Sequence, residues 1–135
     1  MSFKELPHTA DIKIQARAPT LEALFSESCN ALMETIYGKD RGAKDTIGID
    51  VAAGDTESLL ADFLSEVLFR SEVDGMVFSG AEVRIAGTRL HAVMSGEPFD
   101  SKRHAVGTEV KGISYSGLAI THDTNGYMLE ILFDV

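Results

Sequence analysis

Cysteine is almost missing from this sequence, and positive charge is scarce. The single cysteine, Cys29, excludes an intramolecular disulfide and any multi-cysteine zinc site, and it fits a reducing compartment. Lysine and arginine number 12 against 21 aspartates and glutamates, a formal net charge of −9. Such an acidic surface repels phosphate backbones, so direct, strong nucleic-acid binding is not expected, whereas divalent cations and basic protein partners are favoured. No apolar run approaches membrane-spanning length, and Met1-Ser2-Phe3-Lys4-Glu5 has no basic segment leading into an apolar core. The expectation is a cytoplasmic protein with no membrane partner.

Several chemistries lack their sequence signatures. The glycines are scattered among turns, so neither a phosphate-cradling loop nor a dinucleotide fingerprint is present. There is no histidine pair at i, i+4 and no nucleophile elbow. His104 has no serine or cysteine pattern beside it, which leaves a hydrolytic triad without support. An RNA-reading sheet needs paired aromatics in basic surroundings, and neither is found.

What is there reads as one folded domain over residues 1–135. With 44% hydrophobic and 24% charged residues, the chain can fill a core and is not disordered. Ile12, Ile14 and Ala16 alternate with polar residues as a half-buried strand, which Pro19 ends. Thr20 caps a helix whose apolar stripe includes Leu21, Leu24, Phe25, Leu32 and Ile36, with Gly38 as its stop and Cys29 and Met33 as packing residues. Ile47, Ile49 and Val51 form a second strand. Asp55 or Thr56 then caps a helix carrying Leu59, Leu60, Phe63, Leu64, Val67 and Leu68. Asp74-Gly75 breaks it. The second half is rich in strands: a hairpin through Gly87-Thr88 with His91 exposed, a strand from Thr108 onward through Tyr115, Leu118 and Ile120, and a turn at Asp123-Thr124-Asn125-Gly126 leading into a last strand. This order implies an α+β domain, a mostly antiparallel or mixed sheet with two helices packed on one face.

Candidate functional residues lie at both ends. In Leu6-Pro7-His8-Thr9-Ala10-Asp11-Ile12, Pro7 stiffens the approach to the first strand and holds His8, Thr9 and Asp11 there. In the last strand, Tyr127, Leu129, Ile131 and Phe133 share one face. Asp134 falls on the other, and Val135 adds its main-chain carboxylate. If the first and last strands are neighbours, these anions converge and call for a cation, and an all-oxygen set suits Ca²⁺ or Mg²⁺ better than Zn²⁺. Between them, Gly96-Glu97-Pro98-Phe99-Asp100-Ser101-Lys102-Arg103-His104 has no clear period. It reads equally as a functional loop or as a surface connection with Phe99 tucked inward as an anchor. Asp62 and Glu66 lie one helical turn apart on a solvated or partner-facing rim. Lys111 can balance carboxylates or present a cation to a phosphate.

Four segments in register resemble the archease family from about residue 5 to the end: His8-Thr9-Ala10-Asp11-Ile12, Gly96-Glu97-Pro98-Phe99-Asp100 with Arg103-His104, Thr108-Glu109-Val110-Lys111, and Phe133-Asp134-Val135. The resemblance implies a protein that activates an RtcB-type tRNA-splicing RNA ligase without being an enzyme itself. It would promote guanylylation of the ligase's histidine with GTP and so allow multiple turnover in joining RNA ends. It further implies a metal site at Asp11, Asp134 and Val135, taking Ca²⁺ or else Mg²⁺ or Mn²⁺, and roles in ligase activation for Lys111 and His8. Two other functions fit the residues: a small divalent-metal-dependent phosphoester hydrolase using Asp11, Asp134 and His8, and a general chaperone or scaffold module.

Overall fold

Two capped helices set the frame. In α1 (Leu21–Tyr37) the Thr20 hydroxyl accepts the Ala23 amide at 3.1 Å, and the Gly38 amide closes the far end on the Glu34 carbonyl. In α2 (Thr56–Asp74) the Asp55 carboxylate accepts the Ser58 amide at 2.7 Å, and Gly75 ends the helix in the left-handed conformation. The apolar stripes of both helices are buried. Phe25 of α1 and Phe63 of α2 stack in the middle of the core, with ring centroids 6.1 Å apart.

The computed structural model describes residues 1–6 and 11–135, and Pro7, His8, Thr9 and Ala10 lie outside the described residues. The helices are set among seven strands: β1 (Ser2–Leu6), β2 (Ile12–Ala18), β3 (Asp45–Ala52), β4 (Met76–Ala86), β5 (Arg89–Pro98), β6 (Gly112–Asp123) and β7 (Gly126–Asp134). Every described pairing is antiparallel. The strands form two sheets, one ordered β1-β2-β7-β6 and the other β3-β5-β4. Each helix touches both sheets, so one hydrophobic core serves the whole domain. Alternation decides which side chains reach it. Ile14 faces Ile131 and Ala16 faces Leu129 on the inner side of the first sheet, while Leu90, Ala92 and Met94 line the second. No helix among the described residues is long and apolar enough to cross a membrane.

Several expectations need correction. The period-2 pattern predicts strand from Thr108, yet β6 opens only at Gly112. The Thr108 amide is committed to the Thr35 carbonyl of α1 at 2.9 Å, and Gly107 presses so closely on that helix end that a Cβ would meet the Thr35 oxygen at 2.2 Å. Local docking overrides the alternation there. Pairing of β6 with β7 is also interrupted between Ser114 and Ala119, where Ser116 donates its amide to the Ser114 hydroxyl and Gly117 takes a φ of 71°. Phe99 is 47% exposed, although its ring leans on Tyr37 and His104. Gly96, Glu97 and Pro98 belong to β5 rather than to a loop. The last hairpin, by contrast, forms where expected, at Asp123-Thr124-Asn125-Gly126, with Thr124 and Asn125 as its turn residues and Gly126 paired to Asp123. Gly126 is required there because its φ is 120° and a Cβ would come 2.6 Å from the Ala18 carbonyl oxygen.

The two phenylalanines of α2 should behave oppositely. Phe63 is fully buried and Phe69 is 55% exposed. Phe63→Ala should cost about 3–5 kcal/mol in chemical denaturation, and Phe69→Ala no more than about 0.5 kcal/mol.

Candidate functional site

The antiparallel register of β2 and β7 brings the two ends of the domain together. Ile12 lies opposite Phe133, so Asp11, just before β2 begins, and Asp134, the last residue of β7, stand at the same end of the sheet. On the other flank of β7, Asp134 pairs with Gly112, and its Oδ2 sits where a Cβ on Gly112 would be 3.5 Å away. The Lys111 amide donates to the Asp134 carbonyl at 2.7 Å. Asp11, Lys111, Asp134 and Val135 therefore share one end of the four-stranded sheet. The Phe133 ring below them is fully buried, and the Lys111 side chain is exposed. His8 lies outside the described residues.

The donors at this corner are oxygens. Among the described residues, no group of three or more His, Cys, Asp and Glu side chains stands close enough to hold a metal ion. Two side-chain carboxylates with main-chain oxygens and water form a donor set that suits a hard cation and does not suit a soft one. On the outer face of the same sheet, Glu130 binds Lys13 at 3.2 Å and Gln15 at 3.2 Å, and those hydrogen bonds hold its carboxyl below the usual range. That acid is already matched by a neighbour, whereas Asp11 and Asp134 have no ion pair among the described residues.

The stretch from Gly96 to His104 builds a clamp. Arg103 grips Glu97 through both terminal nitrogens, at 3.0 and 2.8 Å, and reaches Asp40 at 3.1 and 2.9 Å. The Gly42 amide also donates to Glu97. His104 is completely buried, and the Asp100 amide donates to its Nδ1 at 2.9 Å. That contact makes Nδ1 an acceptor, so the ring proton sits on Nε2 and points at Glu97, 3.1 Å away. The tautomer follows from the backbone donor. Tyr37 and Phe99 pack around the imidazole. The clamp thus ties the end of β5 to the loop after α1 and fixes where the chain runs on past Gly107. Val110 enters the core from there, and Lys111 is delivered to Asp134. This assigns the segment a positioning role that its lack of period did not reveal.

Other singled-out residues separate from the corner. Asp62 accepts a hydrogen bond from the Tyr115 hydroxyl, which raises the phenol's pKa, and Glu66 pairs with Arg70 at 3.2 Å. His91 is half exposed and bound to Asp50 on the second sheet. Cys29 is buried, and desolvation pushes its thiol up to about 12, which makes it inert.

Fold and corner together define a small two-helix α+β domain that carries acidic groups where its first and last paired strands meet. The chain matches the sequence model of the archease protein family over residues 3–135 and belongs to that family. It is 34% identical over 140 residues to Protein archease of Methanopyrus kandleri, with 100% of each chain covered. It is also 34% identical over 139 residues to Protein archease of Pyrococcus abyssi, with 98% of each covered. The fold matches the solution structure of Methanobacterium thermoautotrophicum protein 1598 with a TM-score of 0.81, at 22% identity over 99% of each chain. It matches a crystal structure of an archease from Thermotoga maritima, described as a possible chaperone, with a TM-score of 0.69, at 20% identity over 98% of this chain and 96% of that one.

The clamp has a testable acid limit. Hydrogen bonds from Arg103 and from the Gly42 amide lower the Glu97 carboxyl from 4.5 to about 2. A carboxyl depressed by folding contributes stability that is present above its unfolded pKa and is lost as pH falls through the folded value. Glu97→Gln should therefore lower Tm by a constant amount from neutral pH down to about pH 5. The gap to wild type should then shrink between about pH 4.5 and 2. A gap that stays the same across that window would show that the Glu97 charge is not what holds the clamp.

Proposed function

We propose that this protein is a metal-binding protein cofactor that activates an RtcB-type tRNA-splicing RNA ligase in the cytoplasm, promoting its guanylylation and multiple turnover, and that it acts as a partner without joining RNA itself. Membership of the archease family supports a role of this kind. The observation that carries it is the β2–β7 register, which brings Asp11 and Asp134 to one corner with the Lys111 amide bonded to the Asp134 carbonyl.

Each residue takes a distinct part in this reading. Asp11 and Asp134 supply carboxylate oxygens for Ca²⁺, or for Mg²⁺ or Mn²⁺, and the main-chain oxygens of Val135 add to the set. The bound ion would supply a positive charge able to attract phosphate oxygens of the ligase's nucleotide. Ca²⁺ fits the irregular set of carboxylate and main-chain oxygens best, because it accepts more ligands and looser geometry than Mg²⁺. Lys111 offers a second cation at the rim, held in place through its backbone while its side chain is exposed. His8 belongs to the same proposal as a residue of ligase activation. The chain's net charge of −9 disfavours binding RNA directly and leaves substrate contact to the ligase.

The decisive assay is guanylylation of a purified RtcB-type ligase with and without this protein. Asp11→Ala and Asp134→Ala should keep the wild-type circular dichroism spectrum and lose stimulation by at least about tenfold, the scale at which metal affinity drops when a supporting residue is removed. Full stimulation by both variants would contradict the assignment. Phosphoesterase turnover without any ligase, abolished by a chelator, would point to the hydrolase instead.

The terminal oxygens can be tested separately. A peptide extension after Val135 should weaken Ca²⁺ binding in calorimetry relative to the same extension placed before Met1. Equal affinities would remove Val135 from the site.

A further inference from the structure

The second sheet carries a mostly apolar groove, edged by charged side chains, that shares no residue with the corner. Asp50 pairs with His91 and His91 with Arg84, so these three form one row across β3, β5 and β4. The next row is Ala52, Arg89 and Ala86. All six residues are exposed, on the face of the sheet away from the core. The alanines flanking Arg89 leave space beside its long side chain, and a groove of about 420 Å³ opens over this block. That volume falls in the range of small-molecule sites.

The polar groups in the groove are arranged for an anion. Asp50 Oδ1 lies 2.8 Å from His91 Nδ1, which secures one ring nitrogen and leaves Nε2 available. Gly48 lies in the neighbouring row beside the imidazole, where a Cβ would stand in ordinary van der Waals contact with His91 Cε1 at 3.5 Å. The Arg89 guanidinium has no partner among the described residues. Arg84 has only a 3.9 Å approach to Glu82, with both side chains at least 76% exposed, a contact too solvated to hold it. Two guanidinium groups therefore stand against one carboxylate, in a chain whose overall charge is −9. The alanines and the aliphatic stems of the arginines supply apolar walls.

We propose that this groove binds a small phosphomonoester carrying a flat apolar body. Arg84 and Arg89 take its phosphate oxygens, joined by Nε2 of His91 when the ring is protonated, and the body lies along the alanine-lined floor. A phosphate matches two guanidinium groups better than a carboxylate does, because it offers three terminal oxygens and more negative charge. The site is independent of the Asp11–Asp134 corner and stands or falls without it.

Phenyl phosphate is the probe, titrated at neutral pH into isotope-labelled protein, with amide chemical shifts as the readout and inorganic phosphate and benzoate in parallel. The expected result is saturable shifts confined to residues 50–52, 84–86 and 89–91, with phenyl phosphate binding more tightly than either of the other two. Arg84→Ala and Arg89→Ala should each weaken it by about tenfold or more, the scale of a hydrogen bond to a charged group, while Arg17→Ala on the first sheet should bind as wild type. Shifts centred elsewhere, equal affinity in all variants, or an equal response to inorganic phosphate and phenyl phosphate would overturn the proposal. Both arginines are exposed, so the variants should fold, and the wild-type map fixes the location without them.

Discussion

The pairing of β2 with β7 is the constraint on which the rest of this domain depends. It joins residues near the start of the chain to the last ones, over seven consecutive partner pairs from Ile12–Phe133 to Ala18–Tyr127. Because side chains alternate in a strand, that one register does two things at once. It sends Ile14, Ala16, Leu129, Ile131 and Phe133 inward against the helices, and it brings Asp11 and Asp134 to the same end of the sheet. A slip by one residue would expose the core face and separate the acids, so packing energy enforces the geometry of the corner. Stability and the proposed function are coupled through the same ladder.

Charge is handled differently in three places. At the clamp, a buried glutamate is surrounded by donors: an arginine fork, a backbone amide and a histidine whose tautomer a second amide dictates. Such a cluster holds a loop in one conformation, because removing any partner leaves a buried charge unmatched. On the outer face, Glu130 is matched by Lys13 in a half-exposed pair of small energetic weight. At the corner, Asp11 and Asp134 share one end of the sheet with no ion pair to either among the described residues, and Lys111 bonds Asp134 through its backbone amide. The first arrangement builds structure, the second lends solubility, and the third is suited to an external ion.

Both helices could be read directly, since Thr20, Asp55, Gly38 and Gly75 are local signals and their caps form as the residue types dictate. Inward-facing strand residues were equally legible from alternation. β1 was not, because Ser2-Phe3-Lys4-Glu5-Leu6 buries little and becomes a strand only by pairing with β2. Nor was the division into two sheets, since periodicity says which face a residue takes and nothing about which strand lies beside it. The clamp escaped notice for a similar reason: Glu97 meets Gly42 and Arg103 meets Asp40 across 55 and 63 residues of sequence. The corner itself was foreshadowed only conditionally. Asp11 and Asp134 were visible as acids at strand ends, but their approach needed the register, and the tie from Lys111 to Asp134 runs through main-chain atoms that no side-chain pattern records.

The central claim is that Asp11 and Asp134 hold one divalent cation between them, and anomalous diffraction from crystals grown with Mn²⁺ tests it most directly. The account predicts a single strong peak within about 2.0–2.6 Å of an oxygen from each carboxylate. A map with no density between these two residues, or with its strongest peak on another part of the molecule, would contradict it.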